Sequence, residues 1–264
     1  FSKGQNSDSL ARHFLRNSDI VALDKLGIDN PIPHEIQAQL PFYDFRYNQE
    51  DYAKHYADGT EEMYDGPDFH YEPPEFVNHP RFQVIAKYLE ENLDEGNVVI
   101  DYGCAHGHFT NYLAAQFPTL QFLGIDVSPK AIDVAVEKAK ELGLDNIGFR
   151  LEDWLAGDQP FDDHNCDCII LGEILEHVPD PQVFMETVRD HVGNVPVIIT
   201  TPLGSWEQIS YEKEGEKRFH LHHFERSDLV DMFGHHSDFA ITCIPAGNSF
   251  SGELLGWYVT TFKW

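Results

Sequence analysis

Residues Val98–Asp126, VVIDYGCAHGHFTNYLAAQFPTLQFLGID, decide how this chain is read. Val98, Val99 and Ile100 form the short apolar, β-branched run of a parallel strand covered on both faces. Asp101-Tyr102-Gly103-Cys104-Ala105-His106-Gly107 then closes the strand, with glycines that let backbone approach a ligand. Phe109, Tyr112, Leu113 and Phe117 recur at helical spacing, and Leu120 to Ile125 reads as the next strand. Asp126 falls about 20 residues beyond Gly107, where a carboxylate can accept ribose hydroxyls. Strand, glycine turn, amphipathic helix and acid-tipped strand in succession make half of a nucleoside-binding α/β domain, and the expected ligand is an adenosine-type cofactor.

The turn departs from the dinucleotide pattern. Gly-x-Gly-x-x-Gly sets a helix N-terminus against a pyrophosphate, whereas this chain has Asp-x-Gly-x-x-x-Gly with Asp101 at the strand end. A phosphate would be repelled by that acid, and a ligand carrying an ammonium and a sulfonium would not. Further on stand Glu152-Asp153-Trp154, the apolar run Cys166 to Leu171, and Glu173-Ile-Leu-Glu176-His177-Val178-Pro179. From Val98 to the C-terminus these segments, in this order, resemble the motifs of class I S-adenosylmethionine (SAM) methyltransferases. The resemblance implies a doubly wound, mostly parallel seven-stranded sheet whose last strand is antiparallel. It also implies cofactor contacts from Asp101, Gly103, Cys104, Gly107, Asp126 (for the ribose), Val127, and Asp153 and Trp154 (for the adenine).

The remaining pattern fits that sheet. Arg81 to Leu93 predicts an amphipathic helix through Phe82, Ile85, Ala86 and Leu89, and Pro129 to Leu142 predicts another, with Ser128 as N-cap and Pro129 at the first position. Strands are expected at Ile147 to Leu151, Cys166 to Leu171 and Val195 to Thr201, a helix at Ser227 to Phe233, and a closing pair at Asp238 to Pro245 and Leu255 to Phe262. Two divisions follow: an N-terminal extension or cap over residues 1–80 and a methyltransferase domain over 81–264. Within the extension, Ser9 to Leu26 and Gln49 to Ala57 read as helical. Glu50-Asp-Tyr52-Ala-Lys-His55-Tyr56 resembles the aromatic segment that caps of this class lay against the methionine moiety, which makes Tyr56 a cofactor contact. The plainer alternative has Tyr52 and Tyr56, four apart, packing a helix onto the core.

Composition narrows the partners. The 264 residues carry 45 acids against 18 lysines and arginines, a formal charge of −27, which repels a phosphate backbone and disfavours nucleic acid. Lys213, Lys217 and Arg218 cluster, but three cations are a small footing; acidity serving solubility alone explains the charge equally well. No apolar run approaches the ~18 residues of a membrane span, and no signal peptide is recognisable, so the expected location is cytoplasmic. The four cysteines, Cys104, Cys166, Cys168 and Cys243, read as free thiols rather than a disulfide framework, and Cys166-x-Cys168 as core thiols rather than metal ligands. The chain opens on Phe1 with no initiator methionine, as expected either of an excised domain or of a trimmed chain.

Glu173-x-x-Glu176-His177 and the later Phe219-His220-Leu-His222-His223-Phe224-Glu225 carry the sharpest chemistry. On a helical turn, positions i, i+3 and i+4 share a face, so both carboxylates and the imidazole would converge at the end of the fourth strand. The pair of segments resembles the metal-dependent methyltransferases that modify the 2′-hydroxyl at the 3′ end of small RNAs, although Arg226 stands where that family has tryptophan. That resemblance implies Glu173, Glu176, His177 and His222 as ligands of Mg²⁺ or Mn²⁺, with His220 the less favoured fourth, and His223 as a base. Metal-free relatives that methylate quinones share Glu-x-x-Glu-His-Val-Pro; there the histidine orients or deprotonates the acceptor. Thr201-Pro202-Leu-Gly204-Ser-Trp206-Glu207 sets an aromatic beside the site, suited to a sugar face, and is similar to methyltransferase modules attached to glycosyltransferases. The expected function is therefore SAM-dependent, metal-assisted O-methylation of a sugar hydroxyl on a glycan, with Glu176, His177 and His223 at the chemistry. RNA 2′-O-methylation, metal-free methylation of a quinone-like molecule and a silent SAM-binding module are the alternatives.

Overall fold

The computed structural model describes residues 79–155, 166–178, 180–203, 222, 224–248 and 254–264. The expected helices at Ser9 to Leu26 and Gln49 to Ala57, and the proposed cap over 1–80, lie outside the described residues except at their edge.

Helix α1 (Pro80–Asn92) starts where Pro80 presets the first turn and His79 caps it, Nδ1 accepting the Arg81 N–H at 3.2 Å. It buries Phe82, Ile85, Ala86 and Leu89, with Arg81 on the same face. β1 (Val98–Tyr102) leads through the glycine turn into α2 (His108–Gln116) and β2 (Gln121–Asp126). α3 (Pro129–Leu142) is capped by the Ser128 hydroxyl, which accepts the Ala131 N–H at 3.2 Å, and ends on left-handed Gly143. β3 (Ile147–Leu151) and β4 (Cys168–Gly172) follow, then α4 (Pro181–Val192), capped by Asp180, and β5 (Pro196–Pro202). α5 (Arg226–Phe233), β6 (Ser237–Asn248) and β7 (Leu254–Lys263) complete the described chain.

The seven strands lie in the order β3-β2-β1-β4-β5-β7-β6. The pairs from β3 to β5 are parallel, while β7 runs antiparallel to both β5 and β6. The expected doubly wound sheet is thus present. Alternation along β1 and β4 divides the core between its two faces: Ile100, Tyr102, Ile169 and Leu171 pack with Phe184 and Val188 of α4 and Leu229 of α5, while Val99, Cys168 and Ile170 pack with Ile85 and Leu89 of α1 and Leu113 of α2. Chain order reverses between β1 and β4, and both strands deliver their C-terminal ends there, which is where folds of this kind hold ligands.

Element boundaries shift by small amounts. β4 begins at Cys168, so Cys166 precedes it, half-buried, its thiol donating to the Cys168 carbonyl at 3.3 Å. All four cysteines are free thiols, as expected. No helix among the described residues is long and apolar enough to cross a membrane.

Asn146 is a structural hub that composition does not advertise. Its buried side-chain nitrogen reaches the carbonyls of Ala114, Phe117 and Leu120 at 3.0, 3.1 and 3.0 Å, closing the end of α2 and the approach to β2. Replacing it by alanine strands those carbonyls, and we expect urea denaturation of Asn146→Ala to show a loss of about 2–3 kcal/mol.

Candidate active site

The turn after β1 is built from left-handed residues. Gly103, Ala105 and Gly107 have φ of 81°, 47° and 65°. A Cβ on Gly103 would stand 2.8 Å from Ile174 Cδ1, and one on Gly107 would stand 2.6 Å from the Ala135 methyl. Glycine is required at Gly107 on two counts, dihedral and space, and at Gly103 by its dihedral, since the tip of Ile174 can give way. The Gly103 contact also has a topological meaning: the turn after β1 and the loop after β4 touch directly. Gly103 and Cys104 N–H groups donate to the Ile125 carbonyl at 2.8 and 3.0 Å, which binds the turn to the end of β2.

Two buried acids face this turn. The Asp101 carboxylate accepts the Thr110 hydroxyl proton across the first turn of α2. Burial drives its pKa up to about 6; the Thr110 bond pulls it down, and the charge of Asp126 pushes it up again. Asp126 spans from β2 to the turn, Oδ2 accepting the Ala105 N–H at 2.8 Å and Oδ1 the Ser128 N–H at 2.9 Å. Its pKa is also raised, by burial, with these backbone bonds opposing the shift. Cys104 sits between the two acids, and burial together with their charges pushes its thiol far up. Two acids converging on a helix N-terminus favour a cationic ligand and oppose phosphate. Val127 lies between the acid and the Ser128 cap.

The third segment, expected to bind the adenine, turns its tryptophan ring into the core. Trp154 is 3 % exposed, and its ring lies against Tyr102 at 4.3 Å and stacks on His191 at 4.5 Å. Its indole N–H donates to Glu152 Oε2 at 3.1 Å and its backbone N–H to the Tyr102 hydroxyl at 3.1 Å. Asp153 turns its carboxylate back onto the Leu155 N–H at 3.0 Å. Trp154 therefore serves the segment by packing.

After β4 the structure overturns one geometric expectation. Residues 173–178 are not a helical turn: Glu173 has φ of 55°, and the first local bond is the His177 N–H to the Ile174 carbonyl at 3.0 Å. A left-handed residue at the head of the loop turns the Glu173 side chain away from the face that Glu176 and His177 would share. Glu173 Oε1 accepts the Thr200 hydroxyl at 2.7 Å and pairs with Arg81 Nη1 at 3.0 Å, while Oε2 accepts the Trp257 indole N–H at 3.0 Å. Glu176 is fully buried and His177 nearly so. The His222 N–H donates to the Glu176 carbonyl at 3.1 Å, so the two segments do meet, through backbone. The four residues expected to share a cation are all described, and among the described residues no group of histidines, cysteines, aspartates or glutamates could hold a metal. The donor set does not fit the expected ion, because Glu173 is committed elsewhere. Tyr56, His220 and His223 lie outside the described residues.

Three participants were absent from the sequence reading: Arg81, Thr200 and Trp257. Arg81 did leave a signal, as the one charged residue on the apolar face of α1. The guanidinium carbon stands 4.9 Å from the Trp257 ring centre, a cation–π contact that no spacing rule reports.

Residues 93–214 match the model of a methyltransferase-domain family. The ubiquinone biosynthesis O-methyltransferase of Coxiella burnetii is 36% identical over 97 residues, 36% of this chain and 39% of that protein. The chloroplastic tocopherol O-methyltransferase of Arabidopsis thaliana is 32% identical over 168 residues, 58% of this chain and 47% of that protein. The chain thus spans less than half the length of these relatives. Among solved structures, the plantazolicin methyltransferase BpumL, bound to S-adenosylhomocysteine (SAH) and a pentazolic substrate analogue, superposes with a TM-score of 0.54 at 15% identity, over 82% of this chain and 99% of that one. The fold is that of class I SAM-dependent methyltransferases, as the order of motifs led us to expect.

Asp101 generates a pH signature. Its pKa is near 4 unfolded and about 6 folded, so the native state binds the extra proton between those values and stability falls as pH rises through that window. Asp101→Asn should flatten the slope, which amounts to up to about 3 kcal/mol, in denaturation curves taken from pH 4 to 6.5.

Proposed function

We propose that this chain, whose residues 93–214 carry a methyltransferase domain, transfers the methyl group of SAM to a hydroxyl oxygen. The observation that carries the reading is the pair of buried acids, Asp101 and Asp126, on a left-handed glycine turn at the β1–β4 reversal. When bound, SAM supplies a methyl group activated by a sulfonium. Each Asp126 oxygen keeps a lone pair beyond its backbone bond and can accept ribose hydroxyls. Asp101 supplies negative charge at the turn, where the ammonium and sulfonium of the cofactor need it. The SAH-bound neighbour of the same fold supports this use of the site.

On the acceptor side, His177 stands on the loop that touches the glycine turn through Ile174, within the fold's substrate region. A neutral imidazole there takes the proton that the hydroxyl loses as its oxygen bonds to the methyl carbon. Glu176, in the buried loop beside it, supplies the charge that favours the resulting imidazolium. The reading routes no step through Mg²⁺ or Mn²⁺, since Glu173 is held by Thr200, Arg81 and Trp257.

Two acceptor classes have separate support. A sugar hydroxyl is favoured by Thr201 to Glu207, which brings Trp206 after β5, and an association with a glycosyltransferase belongs with that reading. A phenolic hydroxyl is favoured by the relatives named for ubiquinone and tocopherol. The charge of −27 argues against RNA.

Calorimetry should show SAM and SAH binding, lost by at least 100-fold in Asp126→Ala; no binding of either at millimolar concentration would end the reading. With labelled SAM, methyl α-rhamnoside and catechol should separate the acceptor classes. His177→Ala should lower kcat by about 10²–10⁴ while SAH binding persists, and EDTA should leave turnover unchanged. A 20-nucleotide RNA should show no submicromolar complex at physiological salt.

A further inference from the structure

We infer that Glu173 is a positioning residue: it clamps the loop that carries Glu176 and His177 to α1 through Arg81 and to β7 through Trp257. The inference rests, for its catalytic consequence, on the methyl-transfer reading of the same site.

Four observations converge on it. First, the Glu173 carboxylate gathers partners from three separate elements: Arg81 of α1, Thr200 of β5 and Trp257 of β7. Second, its backbone is left-handed, with φ of 55°, and its N–H donates to the Thr200 carbonyl at 3.0 Å. A glutamate stays in that conformation only where its surroundings hold it there. Third, the clamp is enclosed on its cationic side: the Arg81 side chain is 10% exposed against 30% for Glu173, the guanidinium lies over the Trp257 ring, and that ring meets His79, the α1 cap, edge-on at 4.6 Å. Burying a guanidinium demands a counter-charge, and Glu173 is the acid that supplies one. Fourth, the rest of the loop is pinned by independent means, Leu175 and Val178 in the core and the Glu176 carbonyl by the His222 N–H. Glu173 is the remaining fixed point, and it governs the direction in which the chain leaves β4.

Released from Arg81 and Trp257, Glu173 can fall back to a right-handed or extended φ, a rotation of more than about 100° between allowed regions. Ile174 would then shift against Gly103, and His177, whose N–H is bonded to the Ile174 carbonyl at 3.0 Å, would shift with it within the limits set by Leu175, Glu176 and Val178. The clamp thereby makes α1 and the last strand part of the acceptor side of the site, although neither lies at the end of β1 or β4. It assigns Glu173 to the orientation of a base, in place of the cation-binding role that its motif suggests.

The test compares Arg81→Met, Arg81→Lys, Glu173→Gln and Trp257→Phe with the wild-type chain. Trp257→Phe keeps an aromatic face while removing the indole N–H and the five-membered ring, a milder change that reports even if the bolder variants fail to fold. Three readouts are taken: SAH affinity by calorimetry, kcat and KM on methyl α-rhamnoside or catechol, and the His177 ring signal in ¹⁵N-histidine-labelled protein. The expected result is a kcat lowered at least 10-fold in Arg81→Met and about 3-fold in Trp257→Phe, partial recovery in Arg81→Lys, SAH affinity within 2-fold, and a displaced His177 signal in each clamp variant. Wild-type kcat and an unmoved His177 signal in folded Glu173→Gln and Trp257→Phe would overturn the inference. So would Mn²⁺ that broadens the His177 signal in the wild type and not in Glu173→Gln, which would make Glu173 a ligand. If the wild type binds no SAH, the methyl-transfer reading fails alone, because the His177 signal still decides the clamp.

Discussion

Everything at the site depends on β1 being hydrogen-bonded to β2 on one side and to β4 on the other, all three parallel. Parallel strands end at the same edge, so the turn after β1, the acid after β2 and the loop after β4 must arrive together. Because α1 and α2 cover one face and α4 and α5 the other, that edge is left for a ligand. The closeness of arrival is set by Gly103, whose missing Cβ makes room for Ile174. A residue with a side chain there would strain the turn, at φ of 81°, and push aside the tip of Ile174, so one glycine sets how the turn after β1 meets the loop after β4.

That convergence collects negative charge in a dry place. Asp101 and Asp126 are both buried, and each raises the cost of ionising the other. Hydrogen bonds offset the cost in part: Thr110 for Asp101, and the Ala105 and Ser128 N–H groups for Asp126. Acids held against such a penalty are what a cationic ligand requires, and the stability that they forgo returns as binding.

The fold was legible because each of its signals is local. A β-branched run at Val98, a Ser128-Pro129 cap and helical spacing through Phe109 and Leu113 each need only a few neighbouring residues to act, and the elements they announce appeared within a few residues of their expected places, whereas α4 (Pro181–Val192) was not foreseen. The geometry of the glycine turn and of the acid after β2 was legible for the same reason: turn and acid are successive in the chain. Trp154 was harder. Its position after β3 could be read, but whether the ring faces a ligand or the core depends on Tyr102 and His191, which are distant in sequence.

Glu173 shows where such reading stops. The grouping of positions i, i+3 and i+4 holds only if every intervening residue is right-handed helical, and a single residue at φ of 55° suspends it. Nothing in Glu-Ile-Leu-Glu-His announces that residue. What stabilises it is an arginine some ninety residues upstream and a tryptophan on the last strand, and neither belongs to any motif. The same five letters therefore group their side chains where the loop is helical and part them where it is not. The deciding partner sits on α1, as a cation on an otherwise apolar face. A charge in such a place is informative because its burial is tolerable only beside an opposite charge, and at the end of β4 that opposite charge is Glu173.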